Sequence, residues 1–167
     1  GVTSDMLPTL CDWAAVELPK RPLDGISLAP LVNGKMKTRS KPIGFWSFNT
    51  RRATRNGARP YFTAEEQQGT TPLVKLMGNI PTRNFRNYHQ PPIEEADYGG
   101  ARAWLDNRYK LVIPGKADDE PELYDLQTDP AEEKNLAAEQ PKVVARMNRH
   151  LLDWQSSVLN SLREKDY

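Results

Sequence analysis

Residues 49–86 carry seven cations, Arg51, Arg52, Arg55, Arg59, Lys75, Arg83 and Arg86, against two carboxylates, Glu65 and Glu66. Tyr61, Phe62, Phe85 and Tyr88 are interleaved with them, and His89 follows. A guanidinium fork binds an oxyanion through two parallel N–H bonds, and aromatic faces stack on rings such as those of sugars. A histidine titrates near neutral pH and can donate to an anion or move a proton. The combination predicts contact with an anionic carbohydrate, with Arg83, Arg86 and His89 as the substrate-binding candidates. The bland alternative is a solvated basic face, or ion pairing with residues 118–139, where nine acidic residues face the single cation Lys134. No catalytic constellation is legible. Of the two histidines, His150 borders the apolar stripe of a late helix and reads as a surface residue. The one cysteine, Cys11, excludes a disulfide framework and a zinc site, and its neighbours Leu10 and Trp13 predict a small buried side chain.

The elements that must position these groups lie on either side of a long irregular stretch. Met6, Leu10, Trp13 and Ala14 share one helical face, so a helix is predicted over 5–17, capped by Ser4 or Asp5 and ended by Pro19 and Pro22. Asp24-Gly25 marks a turn, and residues 27–31 a short helical piece. Residues 42–48 read as a strand. Residues 49–100 lose periodicity, with a helical turn or two expected around 63–68 and another short element at 73–76; a loop of this length inside a compact domain is often functional. Residues 102–106 and 108–113 form a hairpin about Asp106-Asn107, with Tyr109 and Leu111 on one face and Lys110 on the other. Residues 122–126 give another strand. Val144, Met147, Leu151, Trp154, Val158 and Leu162 recur every three or four residues and predict a helix over 141–162, with Pro141 at its first position. The predicted class is α+β: about four antiparallel strands, a long C-terminal amphipathic helix on one face, and a separate N-terminal helix.

The run Glu122-Leu123-Tyr124-Asp125-Leu126-Gln127-Thr128-Asp129-Pro130-Ala131-Glu132-Glu133-Lys134-Asn135-Leu136 is the most specific in the chain. Locally it predicts a strand, a hard turn, and a helical turn with Asp129 as N-cap, Pro130 at the first position and Glu132 completing a capping box. It also resembles the LYDL-x-x-DP-x-E-x-x-NL segment near the C-terminus of sulfatases, in the alkaline-phosphatase-like superfamily. Asp5-Met6-Leu7-Pro8-Thr9-Leu10 is similar to the D-x-x-PTL helix start of that family. Asp24-Gly25-Ile26-Ser27-Leu28-Ala29-Pro30-Leu31 is similar to its DG-x-SL-x-PLL segment, and Asp106-Asn107-Arg108-Tyr109-Lys110-Leu111 to its R-x-G-x-YKL strand pair. The motifs occur in the family's order.

The resemblance implies the C-terminal part of a sulfuric ester hydrolase acting on a sulfated glycan or an aryl sulfate. It implies a formylglycine nucleophile and Ca2+ in a missing N-terminal catalytic domain. Cys11 precedes Asp12-Trp13 and does not fit the Cys-x-Pro-Ser-Arg type of motif from which formylglycine is made, so this chain alone is expected to be inactive. Residues 1–40 would be the tail of the catalytic domain, with either an exposed apolar patch on residues 1–34 or self-association that hides it expected where that domain is absent. Residues 41–167 would be the C-terminal subdomain, interrupted by the insertion at 49–100. Lys110 is expected to pair with a carboxylate of the missing domain. The resemblance also implies a periplasmic or extracellular location. Rival readings from the residues are an anionic-glycan-binding module and a purely structural subdomain. The net charge of +1 gives no support to nucleic-acid binding, and no apolar run has the length of a membrane span.

Overall fold

A computed structural model describes residues 1–48, 65, 98–115, 120–163 and 165. Contacts divide the chain into two units, one formed by residues 1–48 with 96–167 and the other by residues 49–95. In the first unit a four-stranded antiparallel sheet runs in the order β1 (Ile43–Trp46), β2 (Arg102–Asp106), β3 (Tyr109–Ile113), β4 (Glu122–Asp125). Asn107 sits in the β2–β3 turn at φ 34°, a conformation that asparagine tolerates better than most residues. The N-terminal segment forms a 3-10 turn (Thr3–Asp5) running into α1 (Met6–Ala14), followed by α2 (Ala29–Val32). The chain closes with α3 (Pro141–Leu162).

Alternation puts Trp104, Leu111 and Leu123 on one face of the sheet, in register across β2, β3 and β4. They pack against Met147 and Leu151 of α3, and Leu111, Leu123, Met147 and Leu151 are completely buried. Tyr109 and Trp154 pack on this cluster from its margins. Gly44 has a packing reason: a Cβ there would lie 2.6 Å from the Trp154 indole, so only glycine lets that ring lie against β1. The buried line of α3 is Met147, Leu151, Gln155 and Leu159 rather than one ending at Leu162. Gln155 is thus an unforeseen polar member of the core, with its Nε2 donating to the Tyr98 carbonyl at 3.3 Å.

Two local expectations are corrected. The first helix stops at Ala14, short of residue 17, because Ala15 adopts a left-handed conformation at φ 52°. Its N–H donates to Asp12 and that of Val16 to Cys11, which closes the helix as a Schellman motif. The expected helical turn after β4 does not form. Glu132 sits at φ 59°, which turns the chain away from a helix, and Asp129 accepts instead from the N–H groups of Glu133 (3.1 Å) and Lys134 (2.9 Å). No helix among the described residues is long and apolar enough to cross a membrane.

Candidate functional site

The N-terminal segment is organised around one buried carboxylate. Asp5 is 0% exposed and accepts four hydrogen bonds: from the N–H of Val2 and of Ile26, each at 2.9 Å, and from Nη1 and Nη2 of Arg39, each at 2.7 Å. Gly25 makes this possible. A Cβ there would lie 1.9 Å from the Ser4 carbonyl oxygen, so only glycine brings the Ile26 N–H onto the carboxylate. The Thr9 hydroxyl donates to the Asp5 carbonyl at 2.6 Å and accepts from the Leu28 N–H at 2.9 Å. Asp5 therefore does not act as the side-chain cap of α1; its carboxylate is committed to Arg39. The Arg39 fork, with the two N–H groups, holds the Asp5 carboxyl far below the usual carboxylate range and overcomes the opposing effect of burial.

Arg39 is fixed from its other side. Its N–H donates to Asn107 Oδ1 at 2.8 Å, and its carbonyl accepts from Asn107 Nδ2 at 2.9 Å. One relay thus runs from the β2–β3 turn through Arg39 and Asp5 to the turn at Gly25. It fastens α1 and α2 to the sheet.

What this anchoring presents is an apolar surface. α1 buries Pro8 and Thr9 and points Met6, Leu7, Leu10 and Trp13 outward, with Trp13 61% exposed. Leu31 and Val32 of α2 are exposed beside it. The helix is amphipathic with its apolar face turned to solvent, which marks an interaction surface rather than a finished exterior.

The residues of the 122–136 motif do structural work. Asp125, 4% exposed, accepts from Arg108 Nε (2.9 Å) and Nη2 (2.7 Å), and from the Gln127 N–H. The Arg108 bond lowers the Asp125 carboxyl and raises the guanidinium. Lys110 pairs with both oxygens of Glu132 at 2.7 and 2.6 Å, so its partner lies within this chain, not in another domain. Asn135 Oδ1 accepts the Leu123 N–H, and the Leu136 N–H donates to the Leu123 carbonyl at 2.7 Å. The loop after β4 therefore covers the outer edge of that strand, which would otherwise be open to another chain.

Arg83, Arg86 and His89 lie outside the described residues, as do the short elements expected around 63–68, apart from residue 65, and at 73–76. His150 is exposed on α3, as expected, whereas Cys11 is only partly buried. Among the described residues no group of three or more His, Cys, Asp or Glu side chains could hold a metal ion. Asp5, Arg39 and Asn107 were not foreseen as a relay. Its sequence trace is the position of Asp5, Gly25 and Asn107 inside three family-like motifs.

No protein-family model matches the chain. It is similar to the Delta 4,5-hexuronate-2-O-sulfatase of Bacteroides thetaiotaomicron, 29% identical over 155 residues that cover 90% of this chain and 22% of that protein. Among solved structures it is similar to BT1596, a 2-O GAG sulfatase, at 24% identity and a TM-score of 0.50, over 94% of this chain and 25% of that one. It is also similar to BT33336S-sulf of Bacteroides thetaiotaomicron, at 17% identity and a TM-score of 0.52, over 91% and 24%. At these identities the structural likenesses establish the shared fold. The chain spans about a quarter of the length of these relatives, and the match falls on their C-terminal quarter.

Proposed function

We propose that this chain, which is similar in sequence to a hexuronate-2-O-sulfatase and in fold to a 2-O GAG sulfatase, is the C-terminal part of a sulfuric ester hydrolase acting on a sulfated carbohydrate. The observation that carries this reading is the 29% identity to a hexuronate-2-O-sulfatase over 155 residues. The part played by this chain is to complete the fold and shape the substrate cleft. The outward face of α1, with Leu10 and Trp13, docks on the larger catalytic portion, because an apolar helix face held rigidly in this way is costly to leave in water. Residues 49–100 approach the substrate, and Arg83, Arg86 and His89 bind its anionic groups.

The nucleophile and any calcium ion belong to the larger portion on this reading. The described residues offer no cluster that would hold a calcium ion, and no chemical step is assigned to them. The larger portion also carries whatever export signal takes the enzyme to the periplasm or outside the cell.

The test compares this chain with the longer polypeptide that contains it, on an unsaturated hexuronate-2-O-sulfate disaccharide and on an aryl sulfate. The longer protein should release sulfate and this chain should not. Turnover by the purified chain alone would overturn the proposal, as would a longer protein without activity on any sulfate ester. In the longer enzyme, alanine at Arg83, Arg86 and His89 together should lower kcat/KM by about 1–3 kcal/mol for each lost charged contact, with little effect on folding stability.

A further inference from the structure

The helix α3 carries a single carboxylate, Asp153, against the cations Lys142, Arg146 and Arg149. At about 100° per residue, the three cations fall within about 60° of the helix circumference and span about 10 Å of its axis. His150 borders the same row. The row lies opposite the buried line of Met147 and Leu151, and all four basic side chains are exposed.

Little within the chain answers this charge. Arg146 reaches Asp106 only at 3.8 Å, with its own side chain 54% exposed. Lys142 and Arg149 have no ion-pair partner among the described residues. Arg146 has Lys142 four residues before it and Arg149 three residues after it. Like charges at these spacings destabilise a helix, and an exposed helix that is held by its own charges alternates their sign. The stability of α3 comes instead from its opposite face, which packs Met147 and Leu151 on the sheet. The basic row therefore gives the fold nothing and stands open to an external anion.

We propose that the outer face of α3 is a docking surface for a sulfated polysaccharide lying along the helix. The two guanidinium forks suit sulfate oxyanions, and the Lys142 ammonium adds a point charge at one end of the row. The row is straight, narrow and convex, so it matches a linear polyanion with charges spaced along its length rather than a compact ligand. The choice of polyanion rests on the sulfatase reading. Binding is read on this chain and turnover on the longer polypeptide, so either can fail without the other.

The test is calorimetric binding of a heparin dodecasaccharide to this chain, with amide NMR to place the contact. Resonances of residues 142–150 should shift while that of Leu111 stays fixed, and the desulfated dodecasaccharide should bind at least tenfold more weakly. Lys142→Gln, Arg146→Gln and Arg149→Gln together should weaken binding about tenfold and flatten its dependence on salt, because fewer counterions are then released. Removing the same charge elsewhere, with Lys20→Gln, Lys35→Gln and Lys37→Gln, should change affinity less than about threefold. The unfolding midpoint of the α3 variant should match that of the wild type, since exposed side chains alone are changed. Equal losses in the two triple variants would overturn the proposal, because net charge and not the row would then bind. So would shifts that leave residues 142–150 unmoved, unchanged affinity in the α3 variant, or tighter binding of duplex DNA or of anionic phospholipid vesicles than of the dodecasaccharide.

Discussion

Replacing Arg39 by alanine should be among the most damaging single changes outside the hydrophobic core. The guanidinium makes two 2.7 Å bonds to a carboxylate that is 0% exposed, and its own side chain is 13% exposed. Its removal leaves the Asp5 charge buried with only the Val2 and Ile26 N–H groups to hold it. Breaking a buried pair from one side costs about 3–5 kcal/mol. With a urea slope of about 2 kcal/mol per molar, the midpoint should fall by roughly 1.5–2.5 M, read by the fluorescence of Trp104 and Trp154. Arg39→Ala combined with Asp5→Asn should cost less than the two single changes added together, because no charge is then stranded. The pair also sets an acid limit. The Asp5 carboxyl is depressed in the folded state, so its contribution is complete above the ordinary 3.8 and is lost as pH falls below that value. The wild-type protein should lose stability steeply on acidification below about pH 4, and the Arg39→Ala protein much less so. A midpoint shift under about 0.5 M, or the same acid slope in both proteins, would refute the reasoning.

Gly25→Ala should disrupt the same unit from its far side, since its Cβ would meet the Ser4 carbonyl at 1.9 Å. Hydrogen exchange should rise across residues 3–14 and 25–33 while β3 stays protected. Leu111→Ala removes a completely buried side chain from the centre of the sheet and should cost about 2–5 kcal/mol in chemical denaturation, with the cooperativity of unfolding retained. Trp13→Glu should change stability by less than about 0.5 kcal/mol, because the indole is exposed, yet reduce self-association of this chain in sedimentation; an unchanged association constant would remove α1 from the contact.

Much of the scaffold was legible because its causes are local. The spacing in residues 141–162 and Pro141 at the first turn determined α3, and alternation placed Leu111 on the buried face of β3. Asp106-Asn107 fixed the hairpin, since few other residues accept a turn at positive φ. The resemblance to sulfatases also came from the sequence, through motifs spaced along the chain, and a sulfatase 29% identical over 155 residues agrees with it. The tertiary structure decided which partner each polar group takes. Asp5 had the type and position of a helix cap, but Arg39, 34 residues on, offers a charged fork inside a dry pocket and outcompetes the helix N–H groups. Asp129 and Glu132 had the spacing of a capping box, but Lys110 on β3 draws Glu132 away and the helix does not start. Gln155 reads as polar and lies completely buried, because its place on α3 falls under the Tyr98 carbonyl. Local pattern reports the periodicity of burial. A buried polar group takes what partners the fold brings within reach, and sequence distance does not encode that reach.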